Sequence, residues 1–307
     1  MRVRVLGSSA GGGFPQWNCG CENCRGVREG TIQALPRTQE SVCITADDQD
    51  WFLIQASPEI RQQIESFPSL HPSHLRHSPI QAIVLTNGDL DHCLGLLSLR
   101  ESYPLVVYAT ERVQQGFIEN NSLYRTLQRF PNQITWRRLS LGHEIPLLRG
   151  NGKPSGLTIE AVTVPGQRPL HLRTTQLSDD PEDNVGLKIC ETSTGRTLLY
   201  LSSVKKISPE VYECLCSADC IFFDGTFWSE NELLAVDSKG KKAQEMAHMP
   251  IGEKEGSLSL LAKIHIPRRI FIHVNNTNPI LREDSLERQL VQDAGWQVAY
   301  DGLEFEL

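Results

Sequence analysis

Three cysteines lie close together near the start of the chain, at Cys19, Cys21 and Cys24. Their thiolates can reach one tetrahedral zinc ion, because a loop brings sulfur atoms at this spacing to a common centre. A closed zinc site needs a fourth ligand from elsewhere in the chain. The alternative is a chance cluster of small buried residues, and we favour structural zinc because the spacing is so short.

A second group of cysteines, Cys214, Cys216 and Cys220, has a different character. Cys214 lies in a predicted helix, Cys216 falls on another face of it, and Cys220 begins a predicted buried strand. Free cysteine packs as a small hydrophobic residue. We therefore predict that this group binds no metal.

Two aspartates and a histidine follow a predicted buried strand at residues 80–85. Asp89, Asp91 and His92 would leave the carboxyl end of that strand, which is where open α/β folds place their sites. The alternative is a loop of solvated acids. Apolar residues directly before and after the motif argue against a wholly exposed loop.

Further polar groups occur at other predicted strand ends. Asp224 and His273 each end an apolar run, and His248 lies in a polar segment, residues 230–250, that we interpret as a loop or lid. A lone histidine is more often structural, but acids and histidines at several strand ends together favour a shared site. Glycines at residues 11–13 predict a tight loop near a ligand.

Short strands and helices alternate along the chain without a clear linker. The predicted strands are residues 3–6, 41–46, 51–56, 80–85, 105–109, 134–136, 157–162, 186–190, 197–201, 220–224, 269–273 and 297–300. The predicted helices are residues 58–67 with Ser57 as N-cap, a stretch from Thr110, and residues 209–216, 257–264 and 285–293. This pattern favours a single α/β domain over residues 1–307, built on two sheets.

The composition is typical of a globular protein. Of 307 residues, 39% are hydrophobic and 22% are charged, which excludes a disordered chain. No run approaches the ~18–20 apolar residues of a membrane span. With nine cysteines and no export signal, we expect a cytoplasmic protein with reduced thiols. A net charge of −7 argues against nucleic acid as the main partner.

The chain resembles the metallo-β-lactamase superfamily at the residues that could bind metal. Residues 87–92 align with its His-x-His-x-Asp-His signature, which also follows a strand. The clustered cysteines resemble the phosphodiesterase branch, which carries an extra structural zinc. From end to end, and most specifically at residues 7–19, 86–95 and 271–281, the chain is similar to the branch that takes part in coenzyme PQQ biosynthesis. The resemblance implies an α/β fold, a metallo-β-lactamase-like αββα sandwich of two mixed β-sheets flanked by helices.

The departures from the signature concern the first of the two metal sites found in hydrolases of the superfamily. Asn87 and Asp89 stand where its first two histidines would be, and no histidine precedes residues 184–189, where the third would fall. Ser202 and Ser203 stand where the bridging aspartate would end a strand. The resemblance therefore implies that the first site has lost most of its ligands.

The second site survives, with Asp91, His92 and His273 as its implied ligands. Two histidines and one carboxylate with open positions are used by non-haem Fe(II) oxygenases, although a lone Zn²⁺ accepts the same ligands. The resemblance implies Fe²⁺ here and hydroxylation of the tyrosine ring of a glutamate–tyrosine precursor. Asp89 is a candidate outer ligand or proton acceptor, and His248 a candidate proton donor or substrate contact.

The fourth ligand of the structural Zn²⁺ is left open by the resemblance. In related phosphodiesterases, a histidine three residues after the metal-binding one completes the Cys₃ site, and here that position is Asn276. An amide oxygen is an uncommon zinc ligand, so water or another side chain is the alternative to Asn276.

Two other functions are kept as alternatives. A metal-dependent hydrolase or phosphodiesterase fits the superfamily but is weakened by the missing histidines and by Ser203. A non-catalytic carrier of PQQ or its precursor would use the glycine loop and residues 275–279 equally well. The expected partners are a small peptide-derived PQQ precursor and O₂, with no nucleic acid and no membrane. Assembly into a homo-oligomer is left open.

Overall fold

The computed structural model describes residues 1–172 and 179–307, and it contains two seven-stranded β-sheets. The strands are β1 (Arg2–Gly7), β2 (Ser41–Thr45), β3 (Trp51–Ile54), β4 (Ile80–Val84), β5 (Leu105–Ala109), β6 (Ile134–Arg138), β7 (Glu144–Leu148), β8 (Pro154–Thr163), β9 (Val185–Glu191), β10 (Thr197–Leu201), β11 (Cys220–Asp224), β12 (Arg268–Ile272), β13 (Gln297–Val298) and β14 (Glu304–Glu306). The α-helices are α1 (Glu22–Glu29), α2 (Ile60–Glu65), α3 (Leu90–Cys93), α4 (Glu111–Ile118), α5 (Pro209–Cys216), α6 (Glu232–Val236), α7 (Ser257–Leu260) and α8 (Leu286–Asp293). Short 3₁₀ helices lie at Pro68–Leu70, Leu94–Leu99, Ser122–Gln128, Leu170–Leu172, Pro181–Asp183, Gln244–Met246 and Pro279–Leu281.

Both sheets are mixed. The first has the strand order β14-β1-β2-β3-β4-β5-β6, antiparallel from β14 to β3 and parallel from β3 to β6. The second has the order β13-β12-β11-β10-β9-β8-β7, parallel from β13 to β10 and antiparallel from β10 to β7. The antiparallel pairing of β2 with β3 confirms the predicted hairpin.

Three layers of apolar side chains hold these elements together. Strand β11 shows the arrangement, because all its side chains are buried and point alternately to opposite faces. Phe222 packs between the two sheets, whereas Ile221 and Phe223 pack in the layer that contains α5 and α8. Helices α2 and α4 pack on the outer face of the first sheet. A strand covered on both faces is apolar at nearly every position, which is why β11 stands out in the sequence. The layers confirm the predicted αββα sandwich.

The two sheets are joined at one edge, beyond the ends of β1, β4 and β12. Ser9 forms a parallel bridge with Val274, and the Ala10 N–H donates to the Val274 carbonyl at 3.0 Å. Asn87, just after β4, forms an antiparallel bridge with Asn184, just before β9. These contacts bring polar loops from both sheets together.

Several predicted boundaries were wrong. The helix predicted at residues 58–67 is the shorter α2, with Glu59 at the N-cap position and no side-chain cap. The Ser57 hydroxyl donates to the Gln63 side chain at 3.0 Å instead of capping. The helix predicted at residues 257–264 ends with α7, at Leu260, and the strand predicted at 297–300 is the two-residue β13.

Other elements were not predicted at all. These are α1, α3, β7, β14 and, inside the segment that we interpreted as a loop or lid, α6. Within the described ranges, no helix has the length and apolar character needed to cross a membrane. Our interpretation of residues 1–307 as a single domain stays a prediction.

Candidate metal centres

A cavity of about 260 Å³ opens at the joined edge of the two sheets. The predicted site residues Asp89, Asp91, His92, His248 and His273 all line it. Residues that the sequence placed near several strand ends therefore line a single cavity.

Helix α3 positions His92 at the floor of this cavity. Asp89 is the N-cap residue of α3, and its carbonyl accepts the His92 N–H at 3.0 Å. The His92 carbonyl in turn accepts the Ala56 N–H at 2.7 Å. Gly95 allows this close approach, because a Cβ atom there would lie 2.1 Å from the Ser57 carbonyl oxygen.

Asn87 determines which ring nitrogen of His92 faces the cavity. Its Oδ1 lies 2.7 Å from His92 Nδ1 and also accepts the Asp89 N–H at 3.0 Å. Since a backbone N–H donates to it, this atom is the amide oxygen, and Nδ1 must carry the proton. In the neutral ring, Nε2 therefore has the lone pair that a metal ion needs.

A second chain of hydrogen bonds orients His273 in the same way. His273 follows β12 with a φ of 58°, a left-handed conformation that is uncommon for residues other than glycine. Its Nδ1 lies 2.8 Å from Thr226 Oγ1, and the Thr226 hydroxyl donates to Asp224 Oδ1 at 2.6 Å. The His273 Nδ1 is therefore the donor, and Nε2 faces the cavity.

Asp91 contacts both imidazole rings. Its Oδ2 lies 3.2 Å from His273 Nε2 and 3.7 Å from His92 Nε2. Burial alone would raise the pKa of Asp91, but the neighbouring His92 and His273 lower it well below its usual range. The structure thus brings the three predicted iron ligands together, with Asp91 ionised. The glycine loop predicted near a ligand is adjacent, since a Cβ on Gly11 would lie 3.3 Å from Asp91 Oδ2.

His248 forms a dyad with Asp224. His248 Nδ1 lies 2.7 Å from Asp224 Oδ2, and Asp224 is fully buried. Burial would raise the pKa of Asp224, but His248 lowers it, so Asp224 stays ionised and holds the ring. The rings of His248 and His273 stack with centroids 5.4 Å apart.

Asp89 lines the cavity without joining a group of ligand atoms in the described part of the chain. Burial, and then the negative charge of Asp91, raise the pKa of Asp89. A raised pKa suits a group that takes up a proton.

Glu40 was missed by the sequence analysis. It lies immediately before β2 and is fully buried, and the hydroxyl of Tyr200 donates to its Oε1 at 2.5 Å. The ligand atoms of Glu40, His92 and His273 lie within 4.8 Å of one another, as do those of Asp224, His248 and His273. The only signal in the sequence was an acidic residue directly before an apolar run.

The donor set fits a divalent cation. Glu40 Oε2 and His92 Nε2 are buried, lie 3.3 Å apart, and have no hydrogen-bond partner among the described residues. Burial would lower the pKa of His92, but the charges of Asp91 and Glu40 raise it to about 9, so the site attracts positive charge. A metal ion that displaces the Nε2 proton would contact both atoms.

The thiol cluster lies beside the same edge. The sulfur atoms of Cys19, Cys21 and Cys24 are within 4.8 Å of one another. Backbone N–H groups of Gln16 and Cys21 donate to the sulfurs of Cys24 and Cys19, each at 3.4 Å. Burial raises the pKa of the Cys21 thiol to about 12, so three thiolates at this spacing require a cation to neutralise them.

Asn276 caps the thiol cluster. Its Nδ2 lies 3.2, 3.6 and 3.3 Å from the sulfurs of Cys19, Cys21 and Cys24. A half-turn of the side-chain amide exchanges its nitrogen and oxygen, so the same position can present Oδ1 to an ion. Asn276 therefore stands where a fourth ligand is needed.

Comparisons with known proteins now identify the family. Residues 50–274 match the Beta-lactamase superfamily domain. Coenzyme PQQ synthesis protein B of Methylococcus capsulatus is 42% identical over the whole of both chains, and that of Azotobacter vinelandii is 38% identical, also over the whole of both. The chain belongs to the coenzyme PQQ synthesis protein B family.

Solved structures agree with this family. The crystal structure of Zn²⁺-bound PqqB from Methylobacterium extorquens matches with a TM-score of 0.91 and 38% identity, covering 100% of both chains. A diphosphatase from the PhnP family matches with a TM-score of 0.67 and 22% identity over 100% of this chain and 97% of its own, which shows the shared fold. The predicted membership of the metallo-β-lactamase superfamily is confirmed.

In this family member, side-chain amides occupy the positions of the first signature site. Asn87 Nδ2 donates to Asn184 Oδ1 at 3.2 Å, and Asn184 Nδ2 donates to the Ser203 carbonyl at 3.1 Å. Asn184 thus links two of the positions at which metal ligands were implied to be missing, Asn87 and Ser203, whereas Asp89 lines the cavity.

The second cysteine group is dispersed, as its sequence positions suggested. Cys216 is exposed on α5, Cys214 is half-buried, and Cys220 is buried in β11. None of them belongs to a group of metal-ligating side chains in residues 1–172 or 179–307.

Proposed function

We propose that this protein is an Fe(II)- and O₂-dependent hydroxylase that acts on the tyrosine ring of a glutamate–tyrosine precursor of PQQ. One observation carries the proposal: Asp91, His92 and His273 meet at the cavity, while the first-site positions are engaged with one another. A single ion held by two histidines and a carboxylate suits O₂ chemistry better than two-metal hydrolysis.

Both histidine rings are held by this chain in the orientation that binds metal. Asn87 and Thr226 accept the Nδ1 protons of His92 and His273, which leaves both Nε2 atoms for the ion. Asp91 supplies negative charge. Iron bound there would supply the activation of O₂.

Two further groups are proposed to move protons. Asp224 holds the proton on His248 Nδ1, so Nε2 can take up or return a proton at the cavity. Asp89, with its raised pKa, is placed to accept the proton that the ring loses. His92 and His273 are 1% and 5% exposed, so the metal side of the cavity excludes bulk water.

Two basic side chains of the cavity lining suit an acidic substrate. Arg168 and Lys241 line the cavity together with the acidic Asp89, Asp91 and Glu245. A glutamate–tyrosine precursor carries carboxylates, which guanidinium and ammonium groups bind well. These two residues are proposed to orient the precursor while its ring faces Asp91.

We also propose that Cys19, Cys21 and Cys24 bind a structural Zn²⁺, with Asn276 as the fourth ligand. The support is the distance of its side-chain amide from all three sulfurs. Thiolate ligation requires reduced cysteine, which accords with the proposed cytoplasmic location.

The hydroxylation test uses anaerobic protein reconstituted with Fe²⁺, the dipeptide Glu–Tyr, ascorbate as the two-electron reductant, and ¹⁸O₂. One oxygen atom should enter the ring and the other should leave as water, so mass spectrometry should find one ¹⁸O in the product. His265→Ala, an exposed histidine outside the cavity, is the matched control for His273→Ala.

The same preparation separates the other two functions. Hydrolysis of a phosphodiester with no hydroxylated peptide would establish a hydrolase in place of the oxygenase. Tight binding of the dipeptide or of PQQ with no turnover would establish a carrier.

A further inference from the structure

Glu40 is a charged side chain that the proposed ligand set leaves unused. It is 0% exposed and lies where β2 begins, beside the end of β1. Its backbone N–H donates to the Ser9 carbonyl at 2.8 Å, which fixes the residue at the joined edge of the two sheets. A buried carboxylate is costly unless it is paired, so its partners need to be identified.

The two carboxylate oxygens of Glu40 have different surroundings. Oε1 accepts the hydroxyl of Tyr200, which reaches it from β10 of the opposite sheet at 2.5 Å. Oε2 is buried, has no hydrogen-bond partner in the described ranges, and lies 3.3 Å from His92 Nε2. Tyr200 therefore holds one oxygen and aims the other at the proposed metal ligand.

The facing atom of His92 is a candidate metal-binding atom. Its Nδ1 is hydrogen-bonded to Asn87 Oδ1, so Nε2 is the ring nitrogen that turns toward Glu40. The ligand atoms of Glu40, His92 and His273 all lie within 4.8 Å of one another. A cation placed among them would contact all three side chains.

We propose that Glu40, through Oε2, is a further protein ligand of the active-site ion, with Tyr200 as the residue that positions it. The inference rests on the metal site of the proposed function and extends its ligand set. Two histidines with two carboxylates neutralise a divalent ion, and an octahedral ion keeps two positions open for substrate and O₂.

The test measures metal binding, independently of activity. Mn²⁺ is the probe, because hard oxygen and nitrogen ligands suit it and thiolates do not compete for it. Free Mn²⁺ is followed by electron paramagnetic resonance in wild-type protein, Glu40→Gln and the matched control Glu232→Gln. Glu232 is another buried carboxylate, but its oxygens accept the Thr277 hydroxyl and the Trp228 N–H.

Glu40→Gln is expected to weaken Mn²⁺ binding about 100-fold or more, since the loss of outer partners alone costs about 10–100-fold. Glu232→Gln should bind like the wild type. The visible absorption of Co²⁺ in the same site should change in Glu40→Gln, because a ligand is lost. Tyr200→Phe keeps the carboxylate and should weaken binding about 10-fold at most.

Wild-type affinity and an unchanged Co²⁺ spectrum in folded Glu40→Gln would overturn the proposal while leaving the Asp91, His92 and His273 site intact. If the wild-type protein binds no Mn²⁺ or Co²⁺ in the cavity, the proposed function and this inference both fail. Should Glu40→Gln not fold, Glu40→Asp keeps the charge but draws the oxygen away from the ion. Undiminished affinity in Glu40→Asp would then overturn the proposal.

Discussion

The two candidate metal centres draw their ligands from the chain in different ways. Cys19, Cys21 and Cys24 come from one short segment that runs into the first turn of α1, and backbone N–H groups of that segment bind the sulfurs. The histidine centre instead assembles side chains from α3, which follows β4, and from the loop after β12, with a carboxylate from the residue before β2. The thiol centre is nearly closed by Asn276, whereas the histidine centre opens into a cavity of about 260 Å³.

This difference fits the proposal that the thiol centre serves folding and the histidine centre serves chemistry. The ligands of the thiol centre come from one short segment of the chain. Such a site resembles structural zinc sites, which contribute to the free energy of folding. A site assembled at a sheet edge keeps positions open for a substrate. The two share the segment 273–276, since His273 faces the cavity and Asn276 faces the thiols.

The largest effect is expected from His273→Ala. Removing this ligand should abolish iron binding and lower hydroxylation by more than about 100-fold, because too few donors remain to hold Fe²⁺. Zinc at the thiols should stay, since the two centres use separate side chains. Metal analysis by mass spectrometry, with hydroxylation assays, checks this. Full hydroxylation by His273→Ala would contradict the assignment, and Asp91→Ala and His92→Ala should behave like His273→Ala.

Cys21→Ser tests the thiol centre. The variant should lose about one zinc per chain and unfold at a clearly lower temperature, because a structural site contributes folding free energy directly. The exposed Cys216→Ser is the matched control and should keep its zinc. Calorimetry and zinc content are the measurements, and an unchanged zinc content in Cys21→Ser would remove the structural site.

Asn87→His asks whether the first signature site can be restored. The substitution removes the oxygen that receives the His92 Nδ1 proton, so metal affinity should fall about 10–100-fold. No phosphodiesterase activity should appear, because Asn184 and Ser203 still occupy the other positions. Asn87→Asp keeps the acceptor oxygen and should bind metal more tightly than Asn87→His. Phosphodiester hydrolysis by Asn87→His would show that the first site is not lost.

A stability effect without loss of metal concerns Glu232, which accepts a hydrogen bond from Thr277, directly after the shared segment. Burial raises the pKa of Glu232 from 4.5 to about 7. Its folded-state pKa is above the unfolded value, so the contribution of Glu232 to stability is full below pH 4.5 and falls as the pH rises through 7. This corresponds to about 3 kcal/mol of unfolding free energy.

Urea unfolding of wild type and Glu232→Gln between pH 4 and 9 measures this contribution. The stability of the wild type relative to Glu232→Gln should decrease with rising pH. A difference that does not change with pH would show that Glu232 ionises normally in the folded protein.

Residue types and local spacing were enough to predict much of the cavity. Asp91 and His92 follow β4 of the first sheet and His273 follows β12 of the second, so the rule about carboxyl ends placed each group at an edge of its own sheet. Only the structure showed that these two edges meet. The family resemblance added which of the two signature sites survives. The helix at residues 58–67 was predicted too long, because propensity and a candidate cap do not reveal that Ser57 bonds to Gln63.

Glu40 shows what local patterns could not reveal. It precedes its strand, so the rule about carboxyl ends does not point to it. Because β2 runs antiparallel to β1 and β3, the start of β2 lies at the same edge as their ends. Tyr200 reaches Glu40 across the space between the sheets, a contact between residues 160 positions apart.

The sequence by itself determined the donor atoms: three thiols in one short segment, two aspartates and a histidine after one strand, and a histidine after another. The positions of these donor atoms follow from the residues next to them in the sequence and from the apolar pattern of single strands. Only the tertiary structure decided which nitrogen of each histidine faces the cavity, which carboxylate lacks a partner, and how Asn87 and Asn184 fill the first site. These depend on strand pairing and on the packing of one sheet against the other, which bring together side chains that are distant in the sequence.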